Sequence, residues 1–168
     1  INHLTKKDMT LSENYAEMHQ YLNVENFADY IILSCYIGIT DWPGNNWYYS
    51  HRTESSPLGP TPGNFFAWDG EQSFDIQSAS DGKGDGANFP NLFYKRRGRK
   101  LPIVRIWRSL WGSLDFRTLF ADRVSLHTAP GGALSTSAAI ARWDALNQFI
   151  ESAIVGESAR WGDSLKTI

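Results

Sequence analysis

The chain has 168 residues, with 16 Lys and Arg against 18 Asp and Glu and a formal charge of -2. That length suits one domain with a real core, and that charge supplies no global field to attract nucleic acid or an anionic membrane. The single cysteine, Cys35, excludes an internal disulfide and a cysteine-built zinc site. No apolar run approaches the roughly 20 residues of a membrane helix, so a soluble chain is expected. It opens on Ile1 without a basic, apolar leader, which reads as a piece of a longer protein whose targeting signal lies elsewhere.

From Asp8 to Met18 the chain is polar with scattered apolar residues and suggests no element. Asn26 to Ile37 predicts a helix: Phe27, Tyr30, Ile31 and Ser34 fall at helical spacing, Asn23 or Asn26 can cap it, and Gly38 stops it. Cys35 lies in the apolar run Tyr30–Ile37 and reads as a buried, inert thiol. The helix exit leads to Asp41 in a loop where Pro43-Gly44 turns the chain and Asn45-Asn46 can hydrogen-bond locally or bind a cation.

Trp47-Tyr48-Tyr49 and Asn64–Trp68 read as two strands of a hairpin. The crossing between them, residues 50–63, holds three prolines and two glycines and is too broken for regular structure. Antiparallel pairing would carry Asp41, before the first strand, and Asp69, after the second, to the same end of the hairpin. The Gly/Asp-rich stretch Asp81–Gly86 has half the look of a calcium loop, but Lys83 and Leu92 stand at ligand positions, so a flexible loop is the better reading. The basic cluster Lys95–Lys100 suits a solvated face or a substrate-contacting loop, not nucleic-acid binding.

Ile103 to Leu114 mixes helical and irregular signals. A helix follows over Asp115–Thr128, with Asp115 as cap and Phe116, Leu119, Phe120 and Val124 in its stripe. Pro130-Gly131-Gly132 breaks it. Ser135 then caps a long helix to about Glu157, striped by Ile140, Trp143, Leu146 or Asn147, Ile150 and Ile154, and Gly162 terminates the tail. The expected class is α+β, mostly helical with one small sheet.

Asp41 and Asn46 stand in the D-x-x-x-x-N spacing that kinase catalytic loops use to place a base and a metal ligand, and Asp69-Gly70 follows as a second metal station. Asp, Asn and Gly also cluster in ordinary turns, and two carboxylates could instead flank a sugar about 5 to 9.5 Å apart. His3, His19, His51 and His127 show no metal-ligand spacing.

Several stretches together resemble the CotH-type kinases, the spore coat protein H family. They are Asn26-Phe27-Ala28-Asp29-Tyr30, Asp41-Trp42-Pro43 with Asn46, Phe66-Ala67-Trp68-Asp69, Phe116 through Val124, Gly131-Gly132-Ala133-Leu134, and Glu157 through Asp163. The resemblance implies the C-terminal lobe of an atypical protein kinase fold, with a small β-hairpin carrying the site and the nucleotide-gripping half outside this chain. It implies Asp41 as the catalytic aspartate, Asn46 as a metal or phosphate contact and Asp69 as the metal-binding aspartate. Where relatives often read Trp-Asp-Leu-Asp, this chain has Gly70-Glu71, and Glu71 keeps a carboxylate for metal on a longer arm. Where they often read Gly-Asn-Thr-Asp, it has Ile39 before Thr40.

The implied activity is transfer of the ATP γ-phosphate to a Ser or Thr hydroxyl of a protein substrate, with Mg²⁺ or Mn²⁺, at an extracellular, cell-envelope or spore surface. Taken alone, the fragment is expected to hold little nucleotide. A catalytically inactive pseudokinase or surface scaffold, and a glycan-binding or glycan-hydrolysing module, are the competing readings.

Overall fold

A computed structural model describes residues 2–39, 42–70, 73–74 and 100–162. The chain divides into two compact units, residues 1–124 and 125–168. The first opens on a short 3-10 helix, Leu4–Lys6, followed by α1 (Ser12–Tyr21), α2 (Val24–Ile37), β1 (Trp47–Ser50), β2 (Asn64–Ala67) and α3 (Pro102–Leu110). Then α4 (Leu114–Thr128) runs across the boundary, and α5 (Thr136–Trp161) lies in the second unit. The α+β expectation holds, with five α-helices and one two-stranded antiparallel sheet among the described residues.

The first unit is built on α2. Phe27, Ala28, Tyr30, Ile31, Ile32 and Ser34 are all buried, so the helix is covered on more than one side, as its apolar run requires. Asn23 is the cap, its side chain accepting from the Asn26 amide at 3.0 Å. Gly38 ends the helix at φ 63°, ψ 49°, with its N–H donating to the Ser34 carbonyl at 3.2 Å. A Cβ in that left-handed conformation would cost about 1–2 kcal/mol.

The hairpin pairs Trp47 with Ala67 and Ser50 with Asn64. One face turns to α2: Phe65 is buried, and its ring centroid lies 5.3 Å from those of both Phe27 and Tyr30. Tyr48, Phe66 and Trp68 are exposed. Where the crossing re-enters the sheet, Gly63 bridges to Leu22, donating to the Tyr21 carbonyl and accepting from the Asn23 amide. A Cβ on Gly63 would stand 2.0 Å from the Tyr49 ring, so any side chain there would have to displace that ring.

The polar stretch that suggested no element forms α1. Its sequence hides the helix because few residues meet the core; Met18 is buried, as is Leu22 just beyond it, and Tyr15 packs partly against the cluster. Ile103–Leu114 separates into a nine-residue helix with Ile103, Val104, Ile106 and Leu110 buried, and a short turn to α4. Asp115 is not the cap of α4: Ser113 accepts from the Phe116 amide at 3.3 Å, and Asp115 sits inside the first turn, where its charge still favours the helix N-terminus.

In the second unit, Gly131 adopts φ 84°. A Cβ on Gly132 would approach the Leu126 and His127 carbonyl oxygens to 2.5 Å. Ser135 caps α5 as expected, accepting from the Ala138 amide and donating to the Gly132 carbonyl. That helix runs to Trp161, a turn past the expected end, and stops at Gly162.

Candidate functional site

Three pieces of chain converge at one end of the hairpin: the exit of α2, the residues entering β1, and those leaving β2. Past Gly38, Ile39 is buried, then Trp42 and Pro43 are buried across a cis peptide bond. Trp42 is fixed from α2, its indole N–H donating to the Tyr30 hydroxyl. Burial pushes the Tyr30 phenol up to about 12, so it is neutral at any ordinary pH.

Asn46 enters β1 at φ 58° and Asp69 leaves β2 at φ 58°. Left-handed backbone at a residue other than glycine is uncommon, and Asn and Asp are among the few types that tolerate it. The two are brought together: the Asn46 side-chain amide donates to the Asp69 backbone carbonyl at 3.4 Å. Beyond Asp69, Ser73 donates to the Gly70 carbonyl at 2.6 Å, and the Phe74 amide donates to the Ile37 carbonyl at 2.7 Å. The segment carrying Asp69 is thereby tied back to the last turn of α2.

The Asp69 carboxylate is exposed and makes no hydrogen bond or ion pair among the described residues. It does not act as a cap there. Asp41 and Glu71 lie outside the described residues, as do the Asp81–Leu92 stretch and the basic cluster up to Arg99. Among the described residues no group of three or more His, Cys, Asp or Glu could hold a metal ion. One carboxylate and one amide, both hard oxygen donors, nevertheless suit Mg²⁺, whose remaining positions are ordinarily filled by phosphate oxygens and water.

A family model described as CotH kinase protein matches residues 1–167. The chain belongs to the CotH kinase family. No curated protein and no solved structure matches it. Membership gives the CotH chain a kinase-like function as its general class. Among its described residues no helix is long and apolar enough to cross a membrane.

The CotH stretch Asn26–Tyr30 proves to be a set of braces. Asn26 clasps the Phe65 backbone, its side-chain oxygen accepting from the Phe65 amide at 2.7 Å and its nitrogen donating to the carbonyl at 3.2 Å. Phe27 and Ala28 fill the core. Asp29 takes both arms of Arg123, with the Nε bond at 2.7 Å, and Tyr30 holds Trp42. Four successive roles thus aim α2 at the hairpin end. Local pattern shows only Phe27 and Tyr30 as helix-face residues, because the partners of Asn26 and Asp29 are 39 and 94 positions away.

Proposed function

We propose that the end of the hairpin is the metal and base station of a protein kinase, and that this chain is the C-terminal lobe of the domain. The observation that carries the reading is Asp69: an exposed carboxylate at a strained backbone position with no structural partner among the described residues. A left-handed non-glycine residue costs on the order of 1–3 kcal/mol and persists where the surrounding structure or a function requires it.

Asp69 and Asn46 would hold Mg²⁺ or Mn²⁺, with Glu71 as a further carboxylate. When bound, the ion supplies neutralisation of charge on the ATP phosphates. Asp41 is assigned the base role from the family resemblance and its spacing to Asn46. It accepts the proton of a substrate Ser or Thr hydroxyl as that oxygen forms its bond to the γ-phosphorus and the bond from phosphorus to the β-bridging oxygen breaks, leaving ADP and a phosphorylated protein. The contribution of α2 and the hairpin is positioning, which such a transfer requires of a protein above all. The extracellular or spore-surface setting comes with the family likeness.

Calorimetric titration of Mg²⁺ and Mn²⁺ with ATP into the full-length protein tests this, beside an Asp69→Ala version. Metal-dependent nucleotide binding that disappears in Asp69→Ala is the expected result. A folded full-length protein that binds no metal-nucleotide overturns the reading and leaves a scaffold that keeps the fold without the chemistry.

A further inference from the structure

The hairpin has a second end, where Ser50 pairs with Asn64, and beside it lies a cavity of about 560 Å³. That volume falls in the range of about 300–1,000 Å³ typical of ligand sites. The rings of Tyr21, Trp47, Tyr49 and Phe65 line it. Its walls are fixed without a ligand. The Tyr49 hydroxyl donates to the Tyr21 carbonyl at 2.7 Å, and residues 52 and 61 hold each other through the Thr61 amide to the Arg52 carbonyl at 3.1 Å and the Arg52 amide to the Thr61 hydroxyl at 3.3 Å. A preformed cavity of this kind spends little binding energy on ordering itself.

Around the rings stand Asn2, Gln20, Arg52 and Glu54, all exposed. Their side chains make no hydrogen bond or ion pair among the described residues. Convergent, unengaged polar groups over an aromatic lining are what distinguish a binding site from a packing defect.

We propose that this cavity docks an extended segment of the protein substrate, anchored by one apolar side chain. The inference rests on the kinase reading for its choice of a protein partner. Chemistry then narrows the segment. The carboxamides of Asn2 and Gln20 each offer a donor and an acceptor, matching the N–H and C=O of a peptide unit. Arg52 and Glu54 are opposite charges two residues apart on one loop, and complement a segment with an acid on one side of its anchor and a base on the other. A neutral saccharide would satisfy the rings and the carboxamides and leave both charges unmatched.

Trp47 joins the two ends, lining the cavity and directly following Asn46. Four strand residues at about 3.3 Å each separate the ends by roughly 13 Å. A contact at that end holds the ground state and the transition state alike, so it lowers KM and leaves kcat unchanged.

The test uses three blocked heptapeptides: Ala-Lys-Ala-Phe-Ala-Asp-Ala, the same with Lys and Asp exchanged, and a version with Ala for Phe, with cellotetraose as the saccharide probe. Each is titrated by calorimetry into the full-length protein and into Arg52→Glu/Glu54→Arg, which alters exposed side chains outside the proposed catalytic station. One charged Phe peptide should bind saturably, the Ala version at least tenfold more weakly, and the double variant should reverse the preference between the two Phe peptides. Unchanged preference in the variant, no saturable peptide binding at millimolar concentration, or binding of cellotetraose alone overturns the proposal. Placing the preferred segment before a Ser acceptor should lower KM for phosphoryl transfer without changing kcat. Peptide binding with no transfer to any acceptor would count against the kinase reading alone; transfer with no peptide binding would count against the docking site alone.

Discussion

Tyr30 and Cys35, both on α2, have their acid groups pushed by burial up to about 12, from ordinary values of 10.0 and 9.0. Each binds its proton more tightly folded than unfolded. The stability this represents is fully present below about pH 9 and is lost as pH rises toward 12. The urea midpoint should therefore hold steady from pH 7 to 8.5 and fall steeply between about pH 9 and 12; a flat midpoint to pH 11 would contradict the burial. In the native protein Cys35 should resist a thiol reagent at pH 8 and react once urea unfolds the chain, because the thiolate is the nucleophile. Asn26 shows what a local reading misses at this scale. Its position near the helix start makes it a plausible cap, yet Asn23 has the extended backbone a cap needs, and the Asn26 amide is spent on the Phe65 backbone. Asn26→Ala leaves a part-buried amide and carbonyl unpaired and should cost about 1–3 kcal/mol in urea unfolding. Asn26→Asp, which keeps the acceptor, should cost less.

Between elements, the Asp29–Arg123 pair ties α2 to α4 through a bidentate fork whose side chains are 31% and 25% exposed. The Arg123 guanidinium is held above its ordinary value by its hydrogen bond to Asp29. Partial exposure lets solvent screen the pair, so a double-mutant cycle with Asp29→Asn and Arg123→Lys should return a coupling of only about 1 kcal/mol. A coupling near zero would make the pair incidental to how the two helices meet. The elements legible in sequence were those with all their signals in one place. In α2 and α5 an apolar period is bracketed by a polar cap and a glycine stop, and the hairpin's aromatic runs flank a proline-rich crossing. For α1 the signal was too thin, since its burial rests on Met18 with Leu22 just beyond. For α4 the sequence does not choose between Ser113 and Asp115, which are both good caps; the Ser113 bond to the Phe116 amide decides it.

Across the first unit, sequence reasoning could bring Asn46 and Asp69 to one end of the hairpin as a candidate site, because antiparallel pairing dictates which residues share an end. It could not show that Asn46 and Asp69 would both be left-handed, that one would reach the other's backbone, or that Phe74 would tie the segment to α2, since each depends on how the helix exit and the sheet meet in space. That strain yields a test that separates function from stability. Asp69→Gly removes a Cβ whose left-handed placement costs about 1–2 kcal/mol, and gives back about 0.4–1 kcal/mol through the greater freedom of glycine in the unfolded chain. Because the carboxylate has no structural partner among the described residues to lose, the balance favours the variant by about 0.8 kcal/mol. Urea unfolding should find Asp69→Gly as stable as the parent or slightly more so, while metal-dependent nucleotide binding is lost. That is the trade expected where a protein keeps a strained residue for its chemistry. A loss of more than about 1 kcal/mol would instead give the Asp69 side chain a structural role, and the kinase reading would lose the observation that carries it.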